Sequence, residues 1–250
     1  MAQSNKGANG STLTPEDPLN ERLSSGAENY LLCLYRMWED SEIPTITQLT
    51  DTLKRLPQTE GMGTSVPSVA GMIRRMQRQA LVDLGDDKRI RLTDKGLEGG
   101  VNIARRHRLA EWLVVQLLGM ELHQGHNEAH RLEHGISQEF EDKLFEQLGQ
   151  PTRSPYGRPI PKAGEPERAA VTQTLDSVPS GVIYTVDRVP EEDMELLKFL
   201  SGAMIVPDRD VEVVEAAPYR GVMTVQTQLD KVSIGYNVAS QIVVKPQIPH

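Results

Sequence analysis

With 250 residues, 38% of them hydrophobic and 25% charged, the chain has the make-up of an ordinary folded protein with room for two or three small domains. A net charge of −8 argues against a generally basic nucleic-acid coat protein, while leaving a local basic patch to be sought. The single cysteine, Cys33, excludes an internal disulfide framework, the polar opening has no apolar signal core, and no stretch approaches the roughly 20 apolar residues of a membrane span, so a cytoplasmic protein without membrane contact is expected.

Residues 1–25 are rich in Ser, Gly, Asn and Pro and read as a mobile tail. From residue 28 to about 40, Tyr30, Leu31, Leu34, Tyr35, Met37 and Trp38 recur at helical spacing and predict a first helix. In PTITQLTDTLKR (44–55), Thr45 or Thr47 can cap a second helix with Ile46, Leu49 and Leu53 inward. LPQTEGMGTS then breaks the pattern with Pro and two glycines. A third helix is expected in SVPSVAGMIRRMQRQALV (65–82), where Ser65 can cap, Pro67 suits the first turn, Val69, Ile73 and Met76 form the apolar stripe, and Arg74, Arg75 and Arg78 lie outside it. LVDLGDDKRIRLT (81–93) reads as a hairpin about Gly-Asp-Asp-Lys.

Helix, helix, turn, helix, hairpin is the order of a winged helix-turn-helix, expected over residues 26–95. Between residues 66 and 108 there are ten Lys/Arg against five Asp/Glu, which suits a basic helix in the major groove and a wing on phosphates. Arginines on a helix face are ordinarily a solvated surface; the ordered set of elements is what points to double-stranded DNA. Ser65, Pro67 and Ser68 are the expected groove-facing residues, with Arg74, Lys88 and Arg89 the further DNA contacts. The turn over residues 54–65 is longer than the 3–4 residues of a minimal helix-turn-helix.

TDKGLEGGVNIARRHRLAEWLVVQLLGM (93–120) reads as one long helix, capped by Thr93 and weakened by Gly99 and Gly100, with His107 and Glu111 four apart on one face. GHNEAHRLEHGISQEFEDKLFEQLG (125–149) is a further helical region in which His126, His130, Glu133 and His134 superimpose on one face. Five of the six histidines fall within residues 107–134, and nitrogen and carboxylate donors without thiolates suit a divalent transition metal harder than copper(I). The bland alternative is a buried polar network between helices. Beyond a linker over 162–170, β-branched runs spaced by Gly and Pro predict a small β-barrel over 171–250, with EEDMELLKFL (191–200) as a short helix.

RRHRLAEWLVVQLLGM, GHNEAHRLEHGIS and RSPYGRPIP (153–161), following a winged helix, resemble the diphtheria toxin repressor family of iron- and manganese-dependent transcription regulators, from about residue 27 to 160 and then weakly to the end. The resemblance implies a mainly α chain with a small β part. It comprises the winged helix, a helical metal-binding and dimerisation domain over 96–161, and a C-terminal Src-homology-like or FeoA-like barrel. It implies an ancillary metal site at His107, Glu111 and His126 and a primary one at His130, Glu133 and His134, with Glu192 and Glu195 matching two further oxygen ligands of some relatives. Two positions depart from the family: His130 stands where it has Cys or Glu, and Asn29, a neutral donor, where it has Met or Asp, with Glu28 and Cys33 nearby as replacements.

The resemblance further implies a homodimeric repressor of metal-uptake genes, activated by Mn(II), or alternatively Fe(II), on a DNA operator, and neither an enzyme nor a binder of a small organic substrate. The competing readings are a winged-helix regulator that senses an organic ligand or partner, with structural histidines, and a metal-dependent hydrolase.

Overall fold

A computed structural model describes residues 23–55, 62–168 and 173–247. The expected tail up to residue 22 and the centre of the long turn, 56–61, lie outside the described residues. Helix α1 (Ser25–Glu39) starts at Ser24, whose hydroxyl accepts from the Ala27 amide, and it is buried on nearly all sides. Helix α2 (Ile46–Leu53) is capped by Thr45 rather than Thr47, in a capping box closed by Gln48. Helix α3 (Val66–Arg78) begins at Ser65 with Pro67 in its first turn, and buries Val69, Ile73 and Met76 while Arg74, Arg75 and Arg78 stay outside that apolar stripe.

Strands β1 (Val82–Leu84) and β2 (Ile90–Leu92) form the hairpin, with Val82 opposite Leu92 and Lys88 in the left-handed region at φ 60°. A bridge between Thr45 and Arg89 and the Ile90 amide bond to the Pro44 carbonyl (2.8 Å) add a third short segment to this wing. The core beneath is built from Tyr30, Leu31, Leu49, Ile73, Leu81 and Ile90 among others, so α1, α2, α3 and the wing share one apolar interior.

Helix α4 (Asp94–Trp112) is capped by Thr93 and packs along α1. The two glycines that weaken it by propensity are where α1 comes closest. A Cβ on Gly100 would lie 2.9 Å from the Tyr35 Cβ, and one on Gly99 would lie 2.9 Å from a Leu31 methyl. The helix does not run on to residue 120 as one α-helix: Leu113–Leu117 form a π-helical turn, the Leu118 amide bonding back to the Leu113 carbonyl at 3.0 Å, and Gly119 reverses the chain at φ 70°. The next helical region is two helices, α5 (Leu122–Glu133) and α6 (Gln138–Gln147), because His134 closes the first and the Ser137 hydroxyl caps the second.

The C-terminal part is an antiparallel sheet of β3 (Gln173–Thr174), β4 (Ile183–Arg188), β5 (Asp210–Ala217), β6 (Val222–Gln226), β7 (Lys231–Gly235) and β8 (Val243–Pro246), in the order β3-β8-β4-β5-β6-β7. The expected barrel is not closed. The two-residue β3 and the strand β7 end the sheet without meeting, while irregularities at Val186/Arg188 and Val213/Glu215 curl it. Helix α7 (Met194–Gly202) buries Leu197 and Leu200 in the sheet's core, and the four-residue helix α8 (Tyr236–Ala239) comes after β7. Tyr156, from RSPYGRPIP, inserts into that same core. No described helix is long and apolar enough to cross a membrane.

Candidate metal centre

The amphipathic registers of α4 and α5 place His107 and Glu111 on one helix against His126, His130 and Glu133 on the other, with His134 at the end of α5. His107 Nε2 lies 2.9 Å from Glu111 Oε1 and 3.2 Å from His126 Nδ1, and His126 Nδ1 lies 3.1 Å from Glu111 Oε1. Glu133 bridges: one oxygen contacts His107 Nδ1, while the other is 3.0 Å from His130 Nδ1 and 3.4 Å from His134 Nε2. On α1 it is Glu28, beside the buried Asn29, whose carboxylate reaches His134 Nδ1 at 2.7 Å and Arg106 at 2.7 Å. Cys33 is buried further along the same helix.

A residue outside the expected set completes the cluster. Glu191, 3% exposed, comes within ligand range of His107, Glu111 and His126, the ligand atoms of the four all lying within 4.8 Å of one another. Glu192 instead faces Arg36 at 3.4 Å, and Glu195 is exposed in the first turn of α7. The expected pair fails to share a helical face because α7 starts later than the sequence suggests: Asp193 caps it, accepting from the Leu196 amide at 3.0 Å, so Glu192 precedes the helix. The run of acidic residues flags the region, but only the position of the cap fixes which one turns inward.

His107, Glu111 and Glu133 are fully buried and His126 nearly so. Burial alone would raise the Glu111 and Glu133 carboxyls, yet His107 beside both outweighs it and holds them well below the ordinary carboxylate range. Burial works against a charged His107, but Glu111 and Glu133 prevail and raise it; His126 is pushed down, chiefly by burial. Positive charge on His107 suits the two carboxylates beside it, and a cation held by these residues would supply that charge in its place. Among the described residues, Glu111 Oε2 is buried without a hydrogen-bond partner, as a donor atom held for a cation is. The donor set fits a divalent metal of the imidazole- and carboxylate-binding kind.

Around the cluster runs a layer of arginine pairs. Arg36 meets Glu191 at 2.7 Å, Arg158 meets Asp40 at 3.1 Å, Arg188 meets Asp40 at 2.8 Å, and Arg108 grips Glu39 with both terminal nitrogens at 2.7 and 2.5 Å. These pairs join α1 to α4, to the 153–161 loop and to the C-terminal sheet. Tyr156 stacks edgewise on His126, with centroids 6.2 Å apart, and its hydroxyl donates to the Leu122 carbonyl at 2.7 Å.

Ser65, Pro67, Ser68, Arg74, Lys88 and Arg89 are all exposed, on the start and outer face of α3 and on the wing. The Arg89 guanidinium is drawn onto the Ile43 carbonyl, and Arg91 is paired with Asp87 at 2.6 Å.

Residues 93–162 match the family model described as the iron dependent repressor metal binding and dimerisation domain, and residues 173–246 match the FeoA domain. The chain is 31% identical over 239 residues to the iron-dependent repressor IdeR of Mycobacterium tuberculosis, covering 91% of this chain and 99% of the relative. It is 30% identical over 198 residues to the diphtheria toxin repressor of Corynebacterium diphtheriae, covering 75% and 84%. Among solved structures it resembles the manganese regulator SloR (TM-score 0.73, 25% identity, 90% of this chain and 100% of that one). It also resembles a manganese-dependent transcriptional repressor in complex with manganese (TM-score 0.73, 27% identity, 88% and 99%).

Proposed function

The chain belongs to the diphtheria toxin repressor family of iron-dependent repressors, and from that premise we propose that it is a transcriptional repressor that binds its DNA operator as a homodimer in response to Mn(II) or Fe(II). Its relatives are named as repressors, which favours a regulator over the hydrolase reading. A cytoplasmic setting, where the DNA is, belongs to the same proposal.

The observation that carries the reading is the buried convergence of His107, Glu111, His126 and Glu191 from three separate segments: α4, α5 and the approach to α7. These four would hold one ion. His130, Glu133 and His134, with Glu28 of α1 taking the place sought for Asn29, would form a second set. The bound ion supplies positive charge to carboxylates that otherwise rely on protonated histidine and arginine for balance.

The protein's own residues do the positioning. Glu28 ties α1 to His134 of α5, and Arg36 ties α1 to Glu191. Because α1 shares one core with α3, whatever tightens these ties also fixes the orientation of α3 relative to the dimerisation helices. Two such helices in a homodimer then fall at the spacing of two half-sites, and metal selects that state in proportion to its preference for it. Ser65, Pro67 and Ser68 would enter the groove, with Arg74, Lys88 and Arg89 alongside.

Fluorescence anisotropy on a DNA fragment from the upstream region of the chain's own gene tests this, with chelator, then with Mn(II), then with anaerobic Fe(II). Affinity is expected to rise with metal at fixed ionic strength and to fall in His134→Ala. Equal binding in chelator would overturn the metal response.

A further inference from the structure

We propose that His107, His126 and His130 form a three-nitrogen site that takes a borderline divalent cation, of the Zn(II) or Co(II) kind, as an alternative to the mixed histidine and glutamate set. The proposal rests on the chain being metal-responsive and concerns which ions it tells apart. The ligand nitrogens of these three histidines lie within 4.8 Å of one another. Their ring centroids are 4.6 Å apart for His107 and His130, and 4.9 Å for each of the other two pairs. His107 Nε2 and His126 Nδ1 are already at 3.2 Å. Two imidazoles on one tetrahedral Zn(II), with Zn–N about 2.0–2.1 Å, hold their nitrogens about 3.4 Å apart, so only modest ring rotation is needed.

One buried carboxylate orients two of the three rings. Glu133, fully buried, accepts from Nδ1 of His107 through one oxygen and from Nδ1 of His130 through the other. With Glu133 behind both Nδ1 atoms, each Nε2 is the nitrogen that would ligate, that of His107 exchanging its 2.9 Å contact with Glu111 for the ion. His130 keeps 10% of its side chain exposed while His107 and His126 are sealed, so the cluster has an edge through which an ion enters.

The two ligand sets share His107 and His126 and differ in what joins them: His130 in one, Glu111 and Glu191 in the other. One ion therefore uses one set or the other. A hard cation such as Mn(II) is drawn to the carboxylates, and a borderline one to the third imidazole. A borderline ion in the three-histidine site would also engage His130, leaving the second set short of one ligand. His130 is thus the residue by which this chain discriminates between cations.

The test uses the full-length, metal-free protein without DNA, titrated with Co(II) and followed by visible absorption. The wild type is expected to give the intense bands of four-coordinate, nitrogen-rich Co(II). His130→Glu is expected to lose them and to bind Co(II) at least tenfold more weakly, and Glu111→Gln to retain the bands. X-ray absorption on the wild-type Co(II) protein should count three imidazoles, which holds whether or not a variant folds. Two imidazoles, weak six-coordinate bands, or an unchanged spectrum and affinity in His130→Glu would each overturn the proposal. Because none of these readouts involves DNA, failure of metal-dependent operator binding is seen separately, in the anisotropy experiment.

Discussion

His134 Nδ1 lies 2.7 Å from Glu28 Oε2, across 106 residues of sequence, so the end of α5 is fastened to the first turn of α1. The other Glu28 oxygen accepts from Arg106 of α4 at 2.7 Å, and a single carboxylate thereby joins three helices. Burial pushes the Glu28 carboxyl up, but His134 and Arg106 outweigh it and hold it below its ordinary value.

Glu28→Gln should therefore weaken Mn(II)-dependent operator binding at least tenfold, about 1.4 kcal/mol, in the anisotropy assay. It should also lower the stability of the metal-free protein by about 1–3 kcal/mol in urea unfolding, since an amide cannot serve both partners as a charged acceptor. Unchanged metal-dependent affinity would remove Glu28 from the metal response.

The Arg36 and Glu191 side chains pair at 2.7 Å with exposures of only 8% and 3%. Arg36→Met leaves a buried carboxylate short of its counter-charge, at a cost of about 3–5 kcal/mol. A bound cation can supply the missing charge. The variant should thus melt well below wild type in chelator yet gain more in melting temperature than wild type when Mn(II) is added. An equal gain in both proteins would mean that Glu191 does not sense the ion.

Gly157 holds φ at 96°, and a Cβ there would sit 1.9 Å from the Asp187 carbonyl oxygen. Gly157→Ala is expected to cost about 1–3 kcal/mol from the backbone conformation alone, and more from the collision. Thermal unfolding of the chelated protein measures it, and a melting temperature indistinguishable from wild type would show that the turn can yield.

Stability should fall on acidification. Burial pushes the Asp187 carboxyl up, but Arg153 at 2.7 Å and Lys245 at 3.4 Å hold it below its ordinary value; Asp40 is lowered likewise against burial by Arg158 and Arg188. A carboxyl depressed in the folded state contributes stability that is complete above its unfolded pKa, about 4, and disappears as pH drops through the lower folded value. Urea unfolding between about pH 6 and pH 3 should show this decline, and Asp187→Asn should flatten part of it. A variant whose stability declines as steeply as wild type would assign the acid sensitivity to other groups.

Local chemistry by itself determined a good deal of this protein. Ser65 and Thr93 mark helix starts because a side-chain hydroxyl beside free amides is a contact within four residues, and the histidine face of α5 comes from 3.6 residues per turn. The π-helical turn at Leu113–Leu117 is invisible to such spacing, because an apolar run looks the same in either helix. Gly99 and Gly100 read as weak points until Tyr35 and Leu31 of α1 are seen packed against them. Only the tertiary structure decided that Glu191 rather than Glu192 or Glu195 faces the histidines, that Glu28 of α1 meets His134, and that the sheet stays open. Those outcomes depend on where distant segments pack, and a carboxylate's neighbours 80 or 106 residues away leave no mark on the spacing of the residues beside it.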